Sequence, residues 1–263
     1  MPETRLKRTV KCSVSALVWT TDWIADQIGL SSRSRRQGVV LLYHDVSQRD
    51  LPSFARQMDE LQMKNEVVPL NEIRTHRRGT NDRRLAVAIT FDDALVSFSE
   101  RVAQVLRDRK LPATLFVPSA LVTEGGDGVH MTRSDLASLP GNIEIASHSR
   151  LHLRLTELTD SELFDETSGS KVELEAVTSK HVESFAFPFG DWDAKVERVV
   201  RSAGYTELCS VRPSCVRADI SVLPRVTLEP FDTPIEFRLK VAGAYRWMGT
   251  VMAARQRFLG HSV

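Results

Sequence analysis

Apolar residues along this chain gather into short unbroken runs, separated by longer stretches in which they recur at helical spacing. The runs are Val39 to Tyr43, Leu85 to Phe91, Ala113 to Val117, Ile143 to Ala146 and Phe185 to Phe187. Such runs predict strands buried on both faces. Between them, Phe54, Met58, Leu61 and Met63 predict a helix, as do Val102, Val105 and Leu106. A third begins near Thr159 to Ser161 and carries Leu163, Thr167 and Leu174 on one side. A fourth holds Val196, Val199, Val200 and Ala203, with Gly204 as its C-cap. Glu66 to Leu70 predicts a short strand, Arg77 to Arg84 a charged loop, and Thr123 to Gly128 a Gly-rich loop near the strand ends. Strand and helix in alternation predict a mostly parallel sheet with helices outside, as an α/β barrel or a doubly wound sheet.

The ends of the chain carry a different pattern. Val14, Leu17, Val18, Thr21, Ile24 and Ile28 share one helical face, with Trp19 and Trp23 beside it. Arg5, Lys7, Arg8 and Lys11 precede this stretch, and Arg33, Arg35 and Arg36 follow it. A helix packed on the domain is the plain reading. An interfacial helix resting on anionic lipid through residues 1–36 is the other. Thr20, Thr21 and Asp22 interrupt the apolar stretch too early for a secretory signal core, and no run is long enough for a membrane span. The expected organisation is an amphipathic helical extension and linker over 1–37, a main domain over 38–235 and a helical tail over 236–263.

Composition narrows the function classes. At 263 residues and 42% hydrophobic content the chain can bury a sizeable core. Lys plus Arg number 35 against 34 Asp plus Glu, so there is no general attraction to nucleic acid. Cys12, Cys209 and Cys215 form no disulfide framework and suit a reducing compartment. The expected location is the cytoplasm, with an option of peripheral contact at the inner face of the membrane.

Chemistry collects where the apolar runs end. The first run ends on His44, the second on Asp92 and Asp93, the fourth just before His148 and His152, and the last in Pro188-Phe189-Gly190. A barrel of parallel strands gathers its active site at these C-terminal ends. Histidines at i and i+4 can reach one ion, and one of two adjacent carboxylates can bind metal while the other stays free as a base. The acid pair could equally be an N-cap and first-turn acid. The Pro188 corner could be a plain turn, or could aim the Phe189 N–H as an oxyanion donor.

The order of these pieces resembles the polysaccharide deacetylases of the NodB-homology type, carbohydrate esterase family 4. The matching stretches are Leu42-Tyr43-His44, Ala88 to Asp93, Leu111 to Pro118, Ile145 to Leu155, Phe185 to Gly190 and Ala203-Gly204-Tyr205. The resemblance implies a distorted (β/α) barrel and one divalent metal, zinc first, with cobalt, nickel or manganese as alternatives. By position, Asp93, His148 and His152 would be its ligands, and Asp92 the base that activates the metal's water. The Phe189 N–H would share the negative charge of the tetrahedral intermediate. The family's usual arginine, two residues before the proline, is replaced here by Ala186, and Arg225 is the candidate substitute, with a surface arginine as its rival reading. The family's late histidine is missing between Gly190 and the tail, which leaves His44 as the candidate general acid. Ala94 stands where glycine commonly follows the acid pair. His76, His130 and His181 match no motif and are expected in solvent.

The function expected from this set is metal-dependent removal of an N-acetyl group from an N-acetylated saccharide or glycan precursor. Two alternatives stand beside it: a deformylase or other deacylase of a lipid-linked amino sugar, and a glycan-binding protein that has lost catalysis.

Overall fold

The computed structural model describes residues 5–27, 38–76 and 85–258. Ile28, the join at 31–37, the 77–84 loop and the extreme C-terminus lie outside the described residues. Helix α1 (Arg5–Gln27) precedes β1 (Gly38–Tyr43), α2 (Leu51–Lys64), β2 (Glu66–Val67) and β3 (Ala86–Phe91). Then come α3 (Ala103–Asp108), β4 (Ala113–Val117), α4 (Arg133–Ala137), β5 (Ile143–Ser147), α5 (Asp160–Phe164) and α6 (Ser170–Thr178). The rest is β6 (Ser184–Ala186), α7 (Ala194–Ser202), β7 (Glu207–Cys209), β8 (Val222–Leu223), β9 (Arg225–Thr227), α8 (Pro234–Val241) and α9 (Arg246–Phe258).

These strands pair in parallel in the order β8-β7-β6-β5-β4-β3-β1-β9, with β2 also on β3. The two ends of that order, β8 and β9, are separated in sequence by Pro224 alone. Leu208 and Cys209 of β7 pair with Val222 and Leu223, and Val40 to Leu42 of β1 pair with Arg225 to Thr227. One run, 222–227, therefore joins both edges and closes the sheet into a barrel. Proline suits the point where the run changes partner, since it has no N–H to donate to a ladder. The barrel is distorted because β3 gives one edge to β2 at Ala86 and Val87 and then to β4 at Thr90 and Phe91.

Alternation along the strands sorts side chains into two cores. Val39, Leu41, Tyr43, Val87, Ile89 and Phe91 point outward and pack under the helices. Val40, Ala86, Ala88, Phe116, Ala146, Ala186, Cys209 and Leu223 point inward. The inward alanines leave the lumen roomy enough to hold an arginine, and Arg225 is buried there completely.

Three expectations are corrected and a fourth is qualified. The strand expected over 66–70 stops at Val67, and Leu70–Glu72 forms a 3-10 turn. The tail is two helices broken at Gly243, whose φ of 70° is left-handed and whose Cα faces Cys215 so closely that a Cβ would strike the sulfur. His76 and His130 are not solvated: their ring nitrogens lie 3.0 Å from Glu66 and 2.7 Å from Asp127. Finally, α1 packs on the domain as expected, but only part of its apolar face is used: Val18 joins Cys12 and Ala16 against the core, and polar anchors complete the contact. Arg8 binds Glu236, Asp22 binds Arg246, and the Trp247 Nε1–H donates to the Ser15 hydroxyl. These anchors turn Leu17 and Ile24 outward.

Candidate active site

The chemistry-bearing residues meet at one mouth of the barrel. Asp92 is the next inward position after Thr90 on β3, and its N–H still donates to the Tyr43 carbonyl of β1. The chain then turns sharply: Asp93 and Ala94 both have left-handed backbone, with φ of 72° and 48°. That turn lets neighbouring carboxylates face one site, which a continuing strand would forbid. His148 follows β5, and its N–H donates to the Val117 carbonyl of β4.

The His148–His152 segment is neither a helix nor a simple turn. Ser149 and His152 are left-handed, and the loop is held from behind by groups the sequence reading did not single out. One oxygen of buried Glu166 accepts the N–H groups of Arg150 and Leu151 at 3.0 and 2.9 Å. Ser170 donates its hydroxyl to the Ser149 carbonyl, and the Ser149 hydroxyl accepts the His152 N–H. Glu166 and Ser170 lie in a separate helical segment, and only the packing of that segment against β5 brings them here.

Asp93, His148 and His152 offer ligand atoms that all lie within 4.8 Å of one another. Asp93 Oδ1 is 3.7 Å from His148 Nε2 and 3.6 Å from His152 Nε2. Ligand atoms around a tetrahedral zinc sit about 3.3 Å apart, so a small contraction would complete a site. His148 Nδ1 lies 2.8 Å from the Ala186 carbonyl. That contact requires Nδ1 to carry the proton, which leaves Nε2 with its lone pair toward the cluster. Two nitrogens and one oxygen fit a divalent metal of the zinc type, and His148 is buried while Asp93 and His152 are partly open.

Asp92 sits behind this cluster. Arg225 Nη1 and Nη2 donate to its two oxygens at 2.6 and 2.8 Å, and Arg225 Nε donates to the Ser210 carbonyl. The guanidinium also lies over the Phe116 ring, 5.0 Å from its centre. Arg225 is thus no surface residue, and it enters the lumen that Ala186 leaves open. Burial pushes the Asp92 carboxyl up, but the charges of Arg225 and His148 outweigh it and hold the group below its usual range. Burial pushes the His148 ring down.

The Phe187-to-Gly190 corner forms the next wall. Phe189 is left-handed with φ of 60°, and its N–H has no acceptor among the described residues. Its half-exposed ring meets His152 edge-on at 4.7 Å and lies under the Arg154 guanidinium. Gly190 has φ of 72° and backs onto Val211 too closely for any side chain. Trp192 is stacked on Phe187 and covered by Arg212, so its ring is used in packing.

His44 stands exposed on the rim, beyond β1 and between the strands that deliver Asp92 and Glu229. Its charge bears on both carboxyls. Glu229, overlooked in the sequence, follows β9 on the inward side. Burial, and then the charge of Asp232, pushes its carboxyl up. Five of the seven non-glycine residues with positive φ among the described residues are Asp93, Ala94, Ser149, His152 and Phe189. Backbone strain of this kind persists where function holds it, so its concentration here marks the mouth as the site.

Comparison with known proteins agrees with this geometry. The family model described as polysaccharide deacetylase matches residues 79–208. The Bacillus subtilis (strain 168) protein YxkH, which carries a polysaccharide deacetylase name, is 23% identical over 201 residues, covering 73% of this chain and 71% of its own. The Streptococcus pyogenes deacetylase PplD, solved with acetate, superposes with a TM-score of 0.68 at 17% identity, over 77% of this chain and 97% of that one. IcaB from Ammonifex degensii gives 0.66 at 23% identity, over 80% and 97%. With its parallel barrel and its aspartate–histidine cluster at the strand ends, the chain carries, over the matched residues 79–208, a polysaccharide deacetylase domain of the NodB type.

Proposed function

We propose that this protein is a metal-dependent hydrolase that removes the N-acetyl group of an N-acetylated sugar or glycan. The observation that carries the reading is the pairing of two carboxylates with opposite surroundings. Asp93 faces two histidines at ligand spacing, while Asp92 is locked onto Arg225 and kept ionised. Residues 38–235 would form the catalytic unit, with 1–37 and 236–263 as extensions.

Asp93, His148 and His152 would hold the divalent cation, zinc by donor chemistry. The cation would supply Lewis-acid polarisation and lower the pKa of a water toward neutrality. Asp92 accepts the proton of the attacking water on a carboxylate oxygen; each oxygen keeps a lone pair beyond the one Arg225 occupies. Arg225 holds that carboxylate in register and in its charged form. As water adds to the acetamide carbonyl, negative charge builds on the carbonyl oxygen, and the Phe189 N–H donates to it. His44 gives its proton to the departing amine, the C–N bond breaks, and acetate leaves. The exposed Phe189 ring offers a sugar-sized apolar surface at the entrance.

The test is metal analysis of the purified protein, followed by acetate and formate assays over a panel of N-acylated sugars. Acetate release that disappears in Asp92→Asn, with metal retained, is expected. Formate alone would reassign the acyl group. Saccharide binding without product under any metal would instead favour a binding protein.

A further inference from the structure

A groove leads away from the mouth of the barrel along the seam where the run 222–227 changes partner. It encloses about 630 Å³, within the range of about 300–1,000 Å³ usual for small-ligand sites. Val211 and Pro213, which follow β7, line it together with Val226, Thr227 and Glu229 of the β9 segment and Met248 of α9. Its inner end adjoins the site. Gly190 backs onto Val211, and the charge of His44 bears on Glu229. The described residues that line the groove all lie outside 79–208, so it is built by α1 and by the chain after β7.

Three carboxylates line the groove, and two of them have cations. Asp232 meets Lys240 at 2.6 Å and Arg8 at 3.5 Å, and Glu236 meets Arg8 at 2.6 Å. Glu229 has none. Its half-buried side chain makes no hydrogen bond or ion pair among the described residues. Its main chain, by contrast, is fixed: Gln57 Nε2 donates to its carbonyl at 3.0 Å, and an Asp232 oxygen accepts its N–H at 2.9 Å. The carboxyl is thus held in place without a partner. Burial and the neighbouring Asp232 push it up, as happens to a carboxylate that lacks a cation.

That vacancy selects the ligand. An ammonium would give Glu229 a charge-assisted hydrogen bond and offset the repulsion from Asp232. A hydrocarbon chain would bury the carboxylate unpaired, which is costly. The apolar part of the lining, Val211, Pro213, Val226 and Met248, suits the C–H face of a sugar ring, and the exposed Phe231 ring adds an aromatic surface. Hydrolysis of an N-acetylated sugar leaves a primary ammonium on that sugar, so the reaction proposed above makes such a ligand. We propose that the groove binds an unacylated amino-sugar unit beside the N-acetylated unit at the mouth, with its ammonium on the Glu229 carboxylate. The preferred substrate is then a partly deacylated chain. This consequence rests on the deacylase activity proposed above.

The test is calorimetric titration of the Asp92→Asn protein in slightly acidic buffer, where a sugar amine is protonated. The probes are β-1,4- and β-1,6-linked N-acetylglucosamine tetramers, either fully acetylated or with alternate units deacetylated. In one linkage the alternating tetramer should bind about tenfold more tightly than the acetylated one. The added substitution Glu229→Gln keeps the size of the side chain and removes its charge, and should abolish that preference. Adding Met248→Trp, which fills the groove, should weaken it, with Tm reporting that each variant is folded. Equal or absent binding of the two tetramers in both linkages overturns the proposal. So does a preference that survives Glu229→Gln. Tighter binding of octyl N-acetylglucosaminide than of any tetramer, lost with Met248→Trp, would assign the groove to an alkyl chain instead. Because nothing is turned over in the titration, wild type that releases no acetate would refute the catalytic reading and leave the binding result separate.

Discussion

Arg225 clasps Asp92 with two parallel hydrogen bonds of 2.6 and 2.8 Å inside a barrel lumen closed to solvent. The two residues lie on β9 and just beyond β3, with β1 between them. Removing the arginine would strand a buried carboxylate, a change that costs about 3–5 kcal/mol. Arg225→Ala should therefore unfold at lower denaturant. Without the arginine's charge, burial governs Asp92 and its pKa rises. The acid limb of kcat/KM should move to higher pH, with kcat reduced and KM little changed. Arg225→Lys should restore part of the pH profile, since it returns the charge but not the planar fork.

The ligand cluster predicts a split between metal and turnover. Asp93→Ala and His148→Ala should lose both bound metal and activity, whereas Asp92→Asn should lose activity alone. Chelation should lower Tm, because a cation at a hundred times its Kd stabilises the folded state by about 2.7 kcal/mol. Equal metal content in wild type and Asp93→Ala would remove Asp93 from the ligand set.

How far these assignments could be read in advance depended on locality. Asp92, Asp93, His148, His152 and Phe189 each sit within a few residues of a strand end, and the apolar runs that mark the strands mark them too. Arg225 was harder to read, because its burial depends on alanines contributed by other strands, Ala186 among them. Glu166, Ser170 and Glu229 gave no local signal at all; tertiary packing alone brings them to the site. The packing of α1 on the domain was legible, but how much of its apolar face is covered was not. Periodicity marks the apolar face, and ion pairs with distant helices turn Leu17 and Ile24 of it outward while Val18 stays against the core.

His44 is exposed, and its ring has no hydrogen bond or ion pair among the described residues that its removal would break. His44→Ala should leave Tm nearly unchanged and lower kcat by about a hundredfold or more. Unaltered kcat would pass the acid's role to its neighbour on the rim, to be examined as Glu229→Gln.

Gly190→Ala probes the Phe189 corner from behind. The new methyl would meet Val211, and a left-handed backbone costs a non-glycine residue roughly 1–2 kcal/mol. A lower Tm is expected, together with a fall in kcat larger than any change in KM, because the Phe189 N–H would be displaced from the reacting carbonyl. Unchanged kcat alongside a lowered Tm would argue against the oxyanion role.

The α1 anchor has its own pH signature. Burial pushes the Glu236 carboxyl up, but the hydrogen bonds from Arg8 and Thr233 prevail and hold it at about 2. A depressed carboxyl stabilises the fold fully above its ordinary value and loses that contribution as pH falls through the folded one. The stability difference between wild type and Arg8→Ala should be constant above about pH 5 and vanish toward about pH 2, read by urea unfolding. A difference that persists undiminished at the acid end would show that Arg8 acts through packing rather than charge.

The closing run, 222–227, ties the integrity of the ring to the chemistry at its mouth. Its pairing with β7 and β1 completes the ring, and the same run carries the guanidinium that sets the state of Asp92. A chain in which this segment is unpaired keeps its histidines and acids but lacks the arginine beside Asp92. On the proposed mechanism, freeing this one segment would cost the barrel its charge partner for Asp92 even with every other strand in place.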